Sequence, residues 1–184
     1  MSMPSAKPIS SAISRPSPTE KEALLRKTAY SFCESLLKPP APSALISEYF
    51  VPFYPRITEH GPSWATSRLP FLGKTFIGYR GCEEYFTKLS KTLEMNMGKD
   101  TFPSIDGFVV DTEAEVEWME YKTKKKGKGV VSVVGQATFK SVKTGKEWHE
   151  EFIYRFSAFD DKGRIGHWEI WADPLSAWVA VGED

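Results

Sequence analysis

The chain has 184 residues, and its 24 basic and 24 acidic side chains give a formal net charge of zero. Domains usually contain ~100–200 residues, so this length predicts one domain. A chain without net positive charge is a poor candidate for general binding of nucleic acids or membrane surfaces, and no apolar run approaches the ~18–20 residues that span a bilayer. Two cysteines are too few for a disulfide scaffold or a thiolate zinc site. We therefore expect a soluble globular domain.

Residues 1–18 have the composition of a disordered tail. Six serines and four prolines occupy this segment, and only Lys7 and Arg15 are charged, so it cannot bury enough apolar surface to offset the entropy cost of ordering. It lacks the apolar run of a secretory signal, and its prolines would break the amphipathic helix of a mitochondrial presequence. The sequence therefore predicts a cytoplasmic protein with one folded domain over residues 19–184.

Three helices are predicted in the first half of the chain. Thr19 and Glu22 form a capping box, and an apolar stripe at helical spacing continues the first helix to Lys38. A short second helix is predicted over residues 43–50. The third helix has apolar residues at three- and four-residue steps: Cys82, Tyr85, Phe86, Leu89 and Leu93.

The second half of the chain is dense in β-branched and aromatic residues, which is typical of strands. One short strand, between Tyr54 and Gly61, precedes the third helix. Five longer strands are predicted: Phe102–Val110, Glu113–Thr123, Val130–Val142, Glu147–Phe159 and Arg164–Asp173. Short links between them, including the lysine- and glycine-rich segment 124–129, predict consecutive antiparallel hairpins. Helices segregated from an antiparallel sheet indicate an α+β fold.

The last predicted strand has two different faces. By the strand period of two, one face carries polar and aromatic side chains: His167, Glu169, Trp171 and Asp173. The opposite face, with Trp168 and Ile170, is more uniformly apolar and is the better candidate for packing on the helices. The sequence leaves open which face lines a pocket.

Three segments resemble the SnoaL-like branch of the nuclear-transport-factor-2-like (NTF2-like) superfamily. They are the Thr-Glu-His-Gly-Pro end of the first strand at 58–62, the helix at 78–93, and a turn, Gly-basic-Ile, aromatic strand and aspartate over 163–175. The resemblance covers about residues 19–181. It implies three N-terminal helices packed in the concavity of a strongly curved, mainly antiparallel sheet, a pocket among the helices, and a homodimer through the convex sheet face. Isomerases, cyclases, dehydratases and proteins that only bind share this fold, so no single activity is implied.

The resemblance implies catalytic roles for His60 and Asp173. His60 ends the first strand, where family enzymes hold a general base, and an imidazole with a pKa near ~6.5 can take a proton at neutral pH. Asp173 matches the aspartate that often closes the last strand, and a carboxyl group in an aromatic pocket can act as an acid. A plainer role stays open for each residue. His60 would be a loop histidine hydrogen-bonded to the backbone, and Asp173 would cap the following helix.

Aromatic residues are abundant enough to wall a pocket for a flat, apolar molecule. Tyr30 and Tyr85 are candidate phenol donors to an oxyanion, although both also fit the apolar stripes of their helices. The candidate ligand-binding residues are Tyr30, Tyr54, Trp64, Phe71, Tyr85, Trp118, His167, Glu169 and Trp171. The same aromatics could instead form a large core and a dimer face that need no ligand.

No motif indicates a metal or a cofactor. The three histidines are scattered, no cluster has ligand spacing, and no phosphate loop, nucleophile elbow or dinucleotide fingerprint is present. The lysine run at 122–128 fits a solvent-exposed turn that protects a sheet edge, because nucleic-acid binding would require neighbouring aromatics and net positive charge. Cys33 and Cys82 fit inert core thiols.

Two functions are consistent with the sequence. The first is a cofactor-independent homodimer that binds a small apolar or aromatic molecule and catalyses isomerisation, cyclisation, dehydration or hydrolysis with His60 and Asp173. The second is a non-catalytic binding or dimerisation module of the same fold. A buried His60 facing Asp173 or Glu169 across a cavity on the order of several hundred Å³ favours the enzyme. A pocket filled by its own Trp and Phe side chains favours the module.

Overall fold

A computed structural model describes residues 19–182. The predicted tail, 1–18, lies outside these residues. The described chain forms four α-helices and seven strands. The helices are α1 (Glu20–Leu36), α2 (Pro42–Tyr49), α3 (Gly78–Thr92) and α4 (Pro174–Val181). The strands are β1 (Arg56–Glu59), β2 (Lys74–Ile77), β3 (Leu93–Asn96), β4 (Val109–Glu120), β5 (Thr123–Ser141), β6 (Glu147–Ser157) and β7 (His167–Trp171).

Helix α1 begins where the sequence predicted. The Thr19 hydroxyl accepts a hydrogen bond from the Glu22 amide at 3.2 Å, which satisfies one of the free amides of the first turn. The Glu22 carboxylate pairs with Arg26 at 2.6 Å instead of reaching back to Thr19, so only half of the capping box forms. The buried stripe of α1 packs on the sheet and consists of Leu25, Ala29, Phe32, Cys33 and Leu36.

The seven strands form one open, mixed sheet, in which six follow the order β2-β1-β7-β6-β5-β3. β3 and β4 pair with the same edge of β5, β4 near the beginning of that strand and β3 near its end. Every pairing is antiparallel except that of β1 with β7. β1 is therefore inserted beside a strand more than a hundred residues later in the chain. The architecture is the predicted α+β fold, with α4 following β7.

Several strand predictions were wrong. Phe102 belongs to no strand and anchors a loop by packing on Phe152 and Tyr154. In this loop the Thr101 carbonyl accepts a hydrogen bond from the Gln136 amide, at a part of β5 that pairs with neither β3 nor β4. The segment 124–129 is not a link but the first part of β5, whose lysines pair with Glu113 and Glu117 of β4. The short edge strands β2 and β3 were not predicted.

The sheet has one face against the helices and one face turned away from them. Trp168 and Ile170 lie on the helix-packed face, and the Trp168 ring contacts Phe32 of α1 with ring centroids 5.0 Å apart. This confirms the predicted orientation of the last strand. The alternate residues of β1 and β7 therefore point to the other face, which we call the outer face. This alternation determines which side chains of β1 and β7 share a face of the sheet and can form one site.

Candidate active site

A small hollow lies between the helix-packed face of the sheet and helices α3 and α4. Its volume is about 40 Å³, which is room for about one water molecule. Its walls are mostly apolar, with titratable side chains from two strands, one helix and the N-cap of α4 among them. Its polar or aromatic lining residues are Glu59, Tyr85, Phe139, Trp148, Glu150, Phe152, Tyr154, Trp168 and Asp173.

Glu59 is the most deeply buried acid of the hollow. It follows Ile57 on the inward side of β1, because strand side chains alternate. The Tyr85 hydroxyl of α3 donates a hydrogen bond to Glu59 Oε2 at 2.7 Å, and no described residue bonds to Oε1. Burial raises the pKa of Glu59 to about 7, although the Tyr85 hydrogen bond opposes this shift. The carboxyl group is thus close to half-ionised at neutral pH.

Glu150 is a second acid of the hollow with a raised pKa. It lies on the inward side of β6, where the Trp148 indole donates a hydrogen bond to Glu150 Oε2 at 2.7 Å. Burial raises the pKa of Glu150 to about 7, and the nearby Asp173 carboxylate acts in the same direction while the Trp148 hydrogen bond opposes both. The hollow therefore contains two carboxyl groups able to exchange protons near pH ~7.

Asp173 lines the hollow but serves as the N-cap of α4. Its Oδ1 accepts the amides of Leu175 and Ser176 at 3.0 and 3.2 Å, and the Ser176 hydroxyl donates to Oδ2 at 2.5 Å. The Ser176 hydroxyl and these amides hold the pKa of Asp173 below its usual value. A carboxylate held ionised in this way is suited to capping rather than to donating a proton.

His60 lies on the outer face, in a group that we call the outer cluster: Thr58, His60, Arg155, His167 and Glu169. Glu169 is the centre of this cluster, because its carboxylate pairs with Arg155 and its Oε1 lies 3.2 Å from His60 Nε2. Burial lowers the pKa of His167 to about 4, so this ring is neutral at neutral pH, and its Nε2 lies 2.8 Å from the Thr58 hydroxyl. His60 and Asp173 therefore belong to different sites.

Solved structures with the same architecture include an NTF2-like protein of unknown function from Burkholderia pseudomallei. It matches with a TM-score of 0.58 and 16% identity over 86% of this chain and 98% of that one. A candidate isomerase from Bacillus subtilis matches with a TM-score of 0.57 and 14% identity over 90% of this chain and 98% of that one. A candidate polyketide cyclase from Xanthomonas campestris matches with a TM-score of 0.55 and 10% identity over 89% of this chain and 100% of that one. The chain has the NTF2-like fold.

No protein-family profile and no curated protein sequence matches this NTF2-like chain. The NTF2-like fold implied by the resemblance at residues 58–62, 78–93 and 163–175 is thus confirmed. At 10–16% identity the likeness extends to the fold alone, and the chemistry has to be argued from the residues.

The NTF2-like fold distributes the predicted ligand-binding residues over several places. Tyr85 alone of these nine lines the hollow. Tyr30 packs edge-on against Phe108, and Phe71 is in the core beside Tyr85. Trp64 is 59% exposed and contacts Trp178. The other five predicted residues lie outside the hollow: Tyr54, Trp118, His167, Glu169 and Trp171.

Sequence reasoning missed Glu59 and Glu150, the two acids of the hollow. A signal for Glu59 was present, because Ile57 is the apolar residue of the Arg-Ile-Thr-Glu strand and the period of two puts Glu59 on the same side. For Glu150, the same alternation with Phe152 and Tyr154 indicates an inward carboxyl group.

Residues 19–182 contain neither a cluster of metal ligands nor a membrane-spanning helix. No group of three or more His, Cys, Asp or Glu side chains in this range could hold a metal ion. No helix in this range is long and apolar enough to cross a bilayer. Cys33 and Cys82 are both buried, and burial raises the pKa of each thiol, to about 12 for Cys82.

Proposed function

We propose that this NTF2-like protein binds a small, mainly apolar molecule in the hollow and transfers protons on it with Glu59 and Glu150. These two acids replace His60 and Asp173 in our assignment, because only they combine burial in the hollow with a pKa of about 7. The observation that carries the proposal is the buried Glu59 carboxyl group with Tyr85 as its one hydrogen-bond partner among the described residues. The names of the similar isomerase and cyclase candidates support this class of chemistry.

Glu59 has the properties of a general base. A carboxyl group with a pKa near the working pH is populated in both protonation states, and a buried carboxylate gains basicity from its loss of hydration. Tyr85 fixes the orientation of Oε2 and leaves Oε1 toward a ligand. The reaction removes a proton from an acidic carbon or hydroxyl group of the ligand.

Glu150 and Trp168 supply complementary groups. Protonated Glu150 can return a proton to the ligand from the other side of the hollow. The Trp168 indole N–H is buried without a hydrogen-bond partner among the described residues, and a ligand oxygen that accepted it would remove this cost. These side chains provide both the proton acceptor and the donors, so the proposed reaction needs no cofactor.

The hollow must widen before it can hold an organic molecule. Met95 and Leu89 are among its wall residues, and methionine adapts its shape more easily than other core residues. A ligand that enters by rotation of these side chains would be small and apolar, with one or two polar atoms for Glu59 and Trp168.

A general-base probe tests this proposal without knowledge of the natural substrate. Removal of the ring C–H proton of 5-nitrobenzisoxazole breaks its N–O bond and releases a coloured cyanonitrophenolate. We expect catalysis by the wild type to rise with pH through about pH 7, and Glu59→Gln to lower kcat/KM by about 100-fold or more. Met95→Ala, which enlarges the hollow, should raise kcat/KM.

The matched control is Glu151→Gln, which removes an exposed carboxylate from the same strand as Glu150. It should leave the rate unchanged. Equal rates for the wild type and Glu59→Gln, with Met95→Ala no faster, would refute Glu59 as a base.

A second function is favoured by the small volume of the hollow and by an apolar row on the outer face. Val134, Ile153 and Trp171 are neighbours across β5, β6 and β7 and are 55%, 46% and 39% exposed. An open groove of about 800 Å³ beside this row is lined by the loop 99–104. We infer that this face joins two copies of the chain, since exposed apolar patches mark interfaces.

The dimer is tested by a charge placed in the centre of the row. We expect the wild type to sediment as a dimer and Ile153→Glu to sediment as a monomer, with a dissociation constant raised by about 100-fold or more. Leu175→Glu on α4, which is 64% exposed, is the control and should remain dimeric. A monomeric wild type at high micromolar concentration would contradict this interface.

A further inference from the structure

A second cavity, of about 350 Å³, lies apart from the hollow at the end of the sheet where β1 and β7 begin. We call it the outer cavity. Its principal lining side chains are Tyr54, Arg56, Trp118, Glu120, Phe159 and Arg164. This volume is within the range of small-molecule sites, and three of these six side chains are aromatic.

Arg56 is the unusual residue of the outer cavity. It is only 9% exposed, and its guanidinium group forms no hydrogen bond or ion pair with any described residue. Its Nε is fully buried, and its one described contact is with the Trp118 ring, whose centroid lies 5.3 Å from Cζ. A buried Nε–H without an acceptor is costly, because its hydration is lost and not replaced.

The other charges near this cavity are already engaged or do not reach Arg56. Arg164 is paired with Asp160 at 2.8 Å. Glu169 attracts Arg56 at longer range but is held by Arg155 and His60. Glu120 also attracts Arg56 without forming an ion pair with it. Arg56 is therefore the cation of this cavity that is available to an incoming anion.

Strained backbone gathers at the same place. Among residues 19–182, three residues other than glycine have a positive φ: Tyr54 at 55°, Tyr121 at 54° and Ala158 at 54°. Tyr54 and Ala158 line the outer cavity, and the Tyr121 ring packs on Tyr54 with centroids 4.6 Å apart. Such conformations are costly for residues with a Cβ and concentrate at ligand sites.

From these observations we infer that the outer cavity binds a planar aromatic carboxylate. Its carboxylate accepts paired hydrogen bonds from the Arg56 guanidinium, whose planar geometry suits this group. Its ring packs against the Tyr54 and Trp118 side chains. The site is separate from the hollow and does not depend on proton transfer there.

Binding of naphthoate to the full-length protein tests the inference by isothermal titration calorimetry. We expect the wild type to bind naphthoate, and Arg56→Gln to weaken binding by about 10- to 100-fold, as for the loss of a charged hydrogen-bonded pair. Naphthalenemethanol, which has the same ring without the charge, should bind weakly and equally to both proteins. Glu59→Gln, which alters only the hollow, should bind naphthoate as the wild type does.

Two further variants keep the test decisive if Arg56→Gln does not fold. Glu120→Gln removes a repelling carboxylate and should tighten naphthoate binding about threefold, and Trp118→Ala should weaken it about fivefold. Naphthoate binding that is lost in Glu59→Gln but unchanged in the Arg56, Glu120 and Trp118 variants would assign the ligand to the hollow and overturn the inference. Absence of binding to the wild type would also overturn it.

Discussion

Replacement of Glu59 by Gln is expected to stabilise the folded protein by about 3 kcal/mol at about pH 8 and to change its stability little at about pH 4. Glutamine has nearly the shape of glutamate and can accept the Tyr85 hydrogen bond. It removes the cost of a buried negative charge. The magnitude follows from the rise in the pKa of Glu59 from 4.5 to about 7.

The sign follows from proton uptake on folding. Because the pKa of Glu59 is higher in the folded state than in the unfolded state, the folded state binds more protons between about pH 4.5 and 7, and stability falls as the pH rises through this range. Above about pH 7 both states are ionised and the loss is complete. Glu150 acts in the same direction with a smaller effect, because it is less buried.

Urea unfolding from about pH 4 to 9 measures this dependence. The wild type should lose stability over the lower half of the range, whereas the curve for Glu59→Gln should be flatter. Glu151→Gln on the exposed side of β6 is the control and should parallel the wild type. Parallel curves for Glu59→Gln and the wild type would show that Glu59 is not a buried titrating group.

Replacement of Glu169 by Ala should destabilise the protein by about 3 kcal/mol at neutral pH. Glu169 holds the outer cluster together, since its carboxylate contacts both Arg155 and His60 and its side chain is 12% exposed. Its removal leaves the partly buried charge of Arg155 without an ion-pair partner. We place the cost at the lower end of the range for buried pairs because Arg155 is 31% exposed.

His60→Ala provides the comparison for Glu169→Ala. His60 stacks on the Trp171 ring with centroids 4.1 Å apart, but its side chain is 36% exposed. We expect its loss to cost about 1 kcal/mol. Guanidinium chloride unfolding of both variants measures the difference, and equal costs would show that Glu169 is not the centre of the cluster.

Local patterns in the sequence correctly predicted much of the fold. Thr19 before an apolar stripe fixed the start of α1, since a free amide needs an acceptor within one turn. The alternation of Trp168 and Ile170 with polar neighbours placed β7 with its apolar side toward the helices. Asp173 before a proline gave the cap of α4, which was the plainer of its two roles.

Elements without a strong local pattern were missed or misplaced. β2 and β3 have four residues each and form because a neighbouring strand offers its free edge. Phe102 has the composition of a strand residue, but its loop is held by Phe152 and Tyr154 from β6. The glycine- and lysine-rich part of β5 is extended because β4 pairs with it. Propensity is overridden in each case by a tertiary contact.

The sequence by itself determined the helices, most hairpins, the α+β class and the likeness to the NTF2-like fold. Only the tertiary structure decided that Glu59 and Glu150 line one hollow while His60 lies in another site, and that Arg56 has no hydrogen-bond or ion-pair partner among residues 19–182. The reason is that alternation shows which residues share a face of a strand, but not which other strands and helices lie beside that face. β1 is an example, because it pairs with β7. Glu169 of β7, which contacts His60, comes 109 residues after it along the chain.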